Sequence, residues 1–254
     1  MKSSLTVVFL VVLGAVPLIA VAQSDTAATA YAYVTYFECD PANEFRADEI
    51  VAHSFAPHYN SALEEGEILS WSWLGHFVGG KYRRALVLTA RQMDQLLFAA
   101  GALGEVIEEQ TPEAGRVFTE VCPVHEDYIW ETVPGVNAAV GEHRGKVGFS
   151  VYMDCDVNGE ERADELMRDV FGPIYDAQIA AGGLTTWSWL AHNVGGKWRR
   201  LLSLTSTDHN TMMRARAAIL ADMRAGRTAR SFNQLNDICP DHQDYMWDIR
   251  IENP

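Results

Sequence analysis

The stretch from Trp71 to Thr89, WSWLGHFVGGKYRRALVLT, returns 116 positions later as WSWLAHNVGGKWRRLLSLT, with 14 of its 19 residues unchanged. A long internal repeat constrains a fold before any secondary structure is read, because each copy must itself be a structural unit. The same offset carries Cys39 to Cys155, Arg46-Ala47-Asp48-Glu49 to Arg162-Ala163-Asp164-Glu165, and Pro57 to Pro173. Near the ends of the copies the offset becomes 117, where Cys122-Pro123 and Asp127-Tyr128 meet Cys239-Pro240 and Asp244-Tyr245. The copies are set at residues 31–131 and 147–251, with 132–146 as a linker containing Pro134, Gly135, Gly141 and Gly145.

Each copy reads β-α-β-β-α-β. In the first, Tyr31–Cys39 alternates as a strand does, and Arg46–Leu63 suits a helix that Pro57 kinks or splits. Ile68–Val78 and Lys81–Thr89 read as strands joined by a two-residue turn at Gly79-Gly80. A helix over Ala90–Glu109, a short helical piece near Pro112 and a strand over Val121–Glu131 complete the unit.

Ahead of the repeats, Lys2 precedes an apolar run from Leu5 to Ala20, and Ala20-Val21-Ala22 fits the small-x-small pattern of a cleavage site. Residues 1–22 are therefore expected to be a signal peptide. The mature chain would begin at Gln23, with 23–30 as an N-terminal tail, in the periplasm or outside the cell. An uncleaved anchor is the alternative, although the run is short for a membrane span. The formal charge is −14, and loss of Lys2 makes it −15. Such acidity argues against nucleic acid and, once the leader is removed, against a membrane surface as partner.

The order of elements is the ferredoxin-like split βαβ pattern, in which the last strand lies antiparallel beside the first. That arrangement brings the end of strand one to the start of strand four, and so pairs Cys39 with Cys122 and Cys155 with Cys239, in keeping with an oxidising compartment. The alternative use of these cysteines, as zinc ligands, has poor spacing.

The glycine turn fixes the hairpin register: Trp71 faces Leu88, Trp73 faces Leu86, and Phe77 faces Tyr82. This aromatic face is expected to bury against the helices, together with Tyr128, Trp130, Tyr245 and Trp247. The opposite face is small and polar, with Ser70, Ser72, Leu74 and His76 in copy one and Thr186, Ser188, Leu190 and His192 in copy two. Two such sheets with their helix-free faces together resemble the dimeric α+β barrel superfamily, which includes antibiotic-biosynthesis-monooxygenase-like, EthD-like, NIPSNAP-like and chlorite-dismutase-like proteins. The resemblance covers both copies through element order and repeat length. It implies an α+β fold, two tandem ferredoxin-like repeats forming a single-chain barrel with helices outside, and a small-molecule cavity between the sheets. A monomer would then supply both halves.

Pairing the cysteines sets Tyr36 across from His125 and Val34 across from Asp127; in copy two, Tyr152 meets His242 and Ser150 meets Asp244. On that register the interior gathers Tyr36, Glu38, His76, Arg83, His125 and Asp127, with a near-copy from Tyr152, Asp154, His192, Arg199, His242 and Asp244. The set suits an anionic or phenolic ligand, arginine meeting charge and histidine and tyrosine moving protons. Each residue also has a plainer reading. His76 with Arg83 could be a rim pair. Arg83-Arg84 and Arg199-Arg200 could pair with Asp48, Glu49, Asp164 and Glu165. His125-Glu126-Asp127 could be metal ligands. The Trp71, Trp73, Trp187 and Trp189 rings read as core. His53 and His58 face Asp169 and Ile174 in copy two, a divergence extended by Phe77/Asn193, Ala85/Leu201 and Val87/Ser203.

No GxSxG, HExxH, Walker, GxGxxG or CxxCH pattern is present, so catalytic residues and cofactor stay unknown, with non-covalent haem or a metal both open. Two functions follow: an exported small-molecule-binding protein, enzymatic or not, with a polar site between the sheets; or a non-catalytic protein-interaction module stapled by two disulfides.

Overall fold

The computed structural model describes residues 29–136 and 144–254. The expected signal peptide, most of the expected N-terminal tail and the middle of the expected linker lie outside the described residues. The first repeat runs β1 (Tyr31–Glu38), α1 (Glu44–Ile50), α2 (Ala56–Glu64), β2 (Ser70–Val78), β3 (Arg84–Ala90), α3 (Met93–Gln110), α4 (Pro112–Val121) and β4 (Val124–Thr132). The second repeats it as β5 (Val147–Asp154), α5 (Glu160–Leu166), α6 (Gly172–Ala180), β6 (Thr186–Val194), β7 (Arg200–Ser206), α7 (His209–Met223), α8 (Thr228–Ile238) and β8 (Asp241–Asn253). Among the described residues no helix is long and apolar enough to cross a membrane.

Pro57 neither breaks nor splits its helix. A five-residue π-helical turn, Val51–Phe55, joins α1 to α2 and puts the proline in the first turn of α2, where a missing N–H costs nothing. Met167–Phe171 does the same ahead of Pro173.

The eight strands close into one antiparallel barrel in the order β1-β3-β2-β8-β5-β7-β6-β4. Each repeat supplies a four-stranded half, β4-β1-β3-β2 or β8-β5-β7-β6, and two seams between repeats, β2–β8 and β4–β6, remove the open edges. The expected β2–β3 register holds, with Trp71 opposite Leu88 and Trp73 opposite Leu86. Those tryptophans and their copies Trp187 and Trp189 are buried under the helices. The indole N–H groups are held as well: Trp73 donates to Asp48 at 2.7 Å and Trp189 to Asp164 at 2.7 Å.

The hairpin does not close as a two-residue turn. Its ladder ends at Gly75–Arg84, because the outer half of β2 pairs with β8 through two register shifts. Phe77 and Tyr82 therefore part. Phe77 is half exposed and stacks on His209 at 3.9 Å, whereas Tyr82 turns into the barrel and stacks on Tyr36 at 5.0 Å.

Both disulfides form as expected, Cys39–Cys122 and Cys155–Cys239. They do not set the strand register. Cys122 caps α4 and lies outside the ladder, with Pro123 between it and β4. The ladder is one residue out of step with the cysteines: Tyr36 faces Glu126 rather than His125, and Val34 faces Tyr128 rather than Asp127. In copy two Tyr152 faces Gln243 rather than His242, and Ser150 faces Tyr245 rather than Asp244. A one-residue slip exchanges the two faces of a strand. Tyr128, Trp130, Tyr245 and Trp247 accordingly fill the barrel interior rather than the helix-side core, while His125, Asp127, His242 and Asp244 point to the helix side.

Candidate functional site

Of the residues expected inside the barrel, Tyr36 and Tyr152 occupy its centre. Their rings meet edge to face at 5.4 Å and are almost fully buried. Burial pushes both hydroxyls far above the usual phenol range, so both stay protonated.

The histidines and arginines form two matching relays near the seams. His76 Nδ1 lies 2.8 Å from Arg83, which forks onto Glu44 at 2.7 and 2.9 Å. His192 sits 2.8 Å from Arg199, which reaches Glu160 at 2.6 Å. Arginine only donates, so each Nδ1 accepts and each imidazole is neutral with its proton on Nε2. Burial first, then the adjacent guanidinium, lowers the pKa of both histidines. Burial opposes charge on Glu44 and Glu160, but the paired arginines outweigh it and hold both carboxyls below their ordinary range. The neighbouring arginines are structural. Arg84, 1% exposed, forks onto Asp48 at 2.6 and 2.8 Å, and Arg200 does the same to Asp164 at 2.7 and 2.8 Å. Glu49 and Glu165 are not their partners; Glu165 pairs with Arg162.

Glu38 lies at the barrel rim, 2.8 Å from Lys81, which also holds Glu126. Asp154 takes the matching end of β5, opposite Asp241.

The displaced residues gather elsewhere. Between the sheet and the helices of the second repeat is a pocket of about 450 Å³, walled by Val151, Met153, Leu202 and Leu204 from the sheet and by Met167, Ile219, Met223 and Phe232 from the helices. His242 and Arg216 line it, and Arg216 is held by Asp244 at 3.0 Å and by the face of Phe149 at 4.8 Å. The first repeat has a hollow in the equivalent place, lined by His125 and Asp127. There, however, Phe37 packs on Phe118 at 5.2 Å and Phe118 on Phe55 at 5.4 Å. By the repeat offsets Phe37 and Phe118 become Met153 and Leu235, and Ala100 becomes Arg216. Two phenyl rings thus give way to Met153 and Leu235, Gly115 becomes Phe232, and a cation is added, while the two hollows stay similar in volume, about 480 Å³ in the first repeat and 450 Å³ in the second.

These residues were hard to find in sequence. In the middle of β4 and β8 apolar residues follow one another, Tyr128-Ile129-Trp130 and Tyr245-Met246-Trp247, so polarity does not reveal which residues point inward. The usable signal was the difference between copies at Ala100 and Arg216, where the second repeat gains a cation.

Among the described residues no group of three or more His, Cys, Asp or Glu side chains could hold a metal ion. Nor does the pocket fit haem bound through histidine: His242, the one imidazole lining it, has its side chain 56% exposed and its Nε2 directed to Asp244 at 3.9 Å.

No family model matches the chain, and no curated protein matches it. Solved structures do. A candidate monooxygenase from Fusobacterium nucleatum superposes with a TM-score of 0.62 at 10% identity, covering 89% of this chain and 95% of that one. An anthrone oxidase-like protein gives 0.57 at 10% identity over 89% and 93% of the two chains. A candidate chlorite dismutase gives 0.52 at 8% identity over 87% and 96%. At these identities the likeness is one of fold alone: two ferredoxin-like halves closed into one α+β barrel within a single chain.

Proposed function

We propose that this is an exported protein that binds a small, largely apolar molecule bearing a hydrogen-bond-accepting or anionic end, in the pocket between sheet and helices of the second repeat. The observation that carries the reading is the apolar-walled pocket of about 450 Å³ together with Arg216, which stands there where the first repeat's hollow of about 480 Å³ has Ala100. Ligand sites commonly measure roughly 300–1,000 Å³ and combine apolar walls with a few placed polar groups. Met153, Met167 and Met223 give walls that adapt to shape. Arg216, paired with Asp244 through one terminal nitrogen, keeps N–H donors that meet no protein acceptor among the described residues. The monooxygenase-type names of the neighbours support small-molecule binding. The apolar leader and the two disulfides support export.

The space between the half-sheets, where sequence placed a polar site, is a second and smaller chamber of about 100 Å³. It is too small for such a ligand.

Titration with decanoate while following the Met153, Met167 and Met223 methyl resonances tests the main pocket. Saturable shifts are expected, and they should weaken at least several-fold in Arg216→Ala, which removes the pocket's cation. If the methyls do not move, or move equally in that variant, the reading fails. Terminal sequencing of the exported protein should begin at Gln23.

A further inference from the structure

The hollow under the helices of the first repeat differs from its counterpart in what it lacks. In the second repeat the Arg216 guanidinium lies against the Asp244 carboxylate at 3.0 Å and over the face of the Phe149 ring at 4.8 Å. By the repeat offsets Asp244 corresponds to Asp127 and Phe149 to Tyr33, so the first repeat keeps the carboxylate and the ring; Arg216 corresponds to Ala100. Asp127, Tyr33 and Ala100 all line the first hollow. Asp127 has neighbours there: His125 Nε2 is 3.3 Å away, and burial first, then the Asp127 charge, raises the pKa of the Tyr33 hydroxyl. Among the described residues, however, no lysine or arginine lies within ion-pair distance of it.

The way to that carboxylate is also kept open. On α3, Gly101 and Gly104 stand exposed at the mouth of the hollow, where α7 has Ala217 and Leu220. A Cβ on either glycine would meet nothing within 4 Å, and neither has a positive φ, so neither a close approach nor the backbone requires them. Glycine inside a helix weakens it, and here two of them leave room beside Ala100. Leu86, Leu88, Leu103 and Ile107 wall the hollow, and its volume of about 480 Å³ is of ligand size. Thr35, opposite Asp127 in the ladder, adds a hydroxyl where the second repeat has Val151.

We infer that the hollow of the first repeat binds a small organic cation, an ammonium or guanidinium group on an apolar chain, seated against Asp127 and over Tyr33 as Arg216 is seated against Asp244 and over Phe149. The chain of the ligand runs along Leu86 and Leu88 between sheet and helix. A cation placed beside a carboxylate and over an aromatic face is held by both. The second repeat thus carries, as a side chain of its own, a likeness of what the first repeat takes from solution. This inference does not depend on what the pocket of the second repeat binds.

Hexylammonium chloride at neutral pH is the probe, with the δ-methyl resonance of Ile107, on the wall of the hollow, as the readout. A saturable shift is expected, with affinity at least threefold weaker in Asp127→Asn. Ala100→Arg installs the second repeat's own cation and leaves the carboxylate and the ring in place. It should abolish the shift and, without ligand, melt no lower than the parent, since the second repeat already accommodates the same pair. Hexanoate should shift Ile107 at least tenfold more weakly than the ammonium. Absence of a saturable shift overturns the inference, as does undiminished affinity in either variant. An equal response to hexanoate overturns the choice of a cation. A lower melting temperature in Ala100→Arg overturns the seat over Tyr33. Decanoate shifts at Met153, Met167 and Met223 report on the other pocket, so the two readings fail separately.

Discussion

The ring of Tyr245 lies flat against Gly79 of the other repeat: a Cβ on that glycine would stand 2.4 Å from the ring's Cδ1. Tyr128 answers from the first repeat, with Cδ1 placed 2.6 Å from a Cβ on Gly195. Each repeat thus inserts a tyrosine from its last strand into the glycine pair of its partner, and the barrel closes on these two contacts. Gly79 and Gly195 also hold φ values of +151° and +137°. The glycines serve close approach across a seam as much as chain reversal.

Gly79→Ala or Gly195→Ala should accordingly destabilise the barrel by about 1–3 kcal/mol, the usual scale of overpacking. Urea unfolding measures it. Tyr245→Leu, combined with Gly79→Ala, should recover part of the loss; strict additivity would argue against the contact.

Asp48 and Asp164 each take a buried arginine and a tryptophan N–H. Asp164→Ala strands Arg200, and breaking a buried pair costs about 3–5 kcal/mol. The double variant Asp164→Leu with Arg200→Met should lose much less. A cost near zero for Asp164→Ala, from the same urea curves, would remove the pair from the stabilising core.

His76 and His192 have folded pKa values below the free imidazole, so the unfolded chain binds more protons in that window. Stability is then fully present above the unfolded value, about 6.5, and falls as pH drops through the folded one. The urea midpoint should decline on acidification from neutral pH. The double variant His76→Gln with His192→Gln, which keeps an acceptor for each arginine, should flatten that decline. An unchanged slope would assign it to other groups.

Glu44 and Glu160 add a second limb at lower pH. Their folded values are depressed, so their contribution is present above the ordinary carboxylate range and disappears as pH falls through the folded value. Glu44→Gln should weaken the protein at pH 7 and have progressively less effect towards strong acid. A constant difference across that range would contradict the ion pair.

The disulfides close spans of 83 and 84 residues. Replacing Cys155 and Cys239 by serine should cost about 2–5 kcal/mol, on the scale of native disulfides in exported domains. Mass spectrometry of the unreduced protein should find Cys39 with Cys122. Because Cys239 also lines the ligand pocket, decanoate affinity should fall in the same variant.

The hairpin from Trp71 to Thr89 was legible because its faces differ: tryptophan and leucine alternate with serine and threonine, and a slip would expose the tryptophans. The strand from Val124 to Thr132 offered no such contrast. Tyr128 and Trp130 are buried in the barrel while Ile129 is buried under the helices, so either register hides apolar groups. Only the position of Cys122 seemed to decide, and a residue in a helix cap does not keep step with a ladder.

Duplication, element order, both disulfides and the β2–β3 register were determined by sequence alone, through local periodicity and the offset between copies. Tertiary structure decided the seams, the placement of Tyr128 and Tyr245 against glycines of the other repeat, and the removal of His125, Asp127, His242 and Asp244 from the barrel interior. It also decided what lines the hollow under each set of helices, Arg216 in the second repeat and Phe37 in the first. These outcomes depend on which side chains fit together across elements far apart in the chain, and volume matched at a distance leaves no period in a sequence.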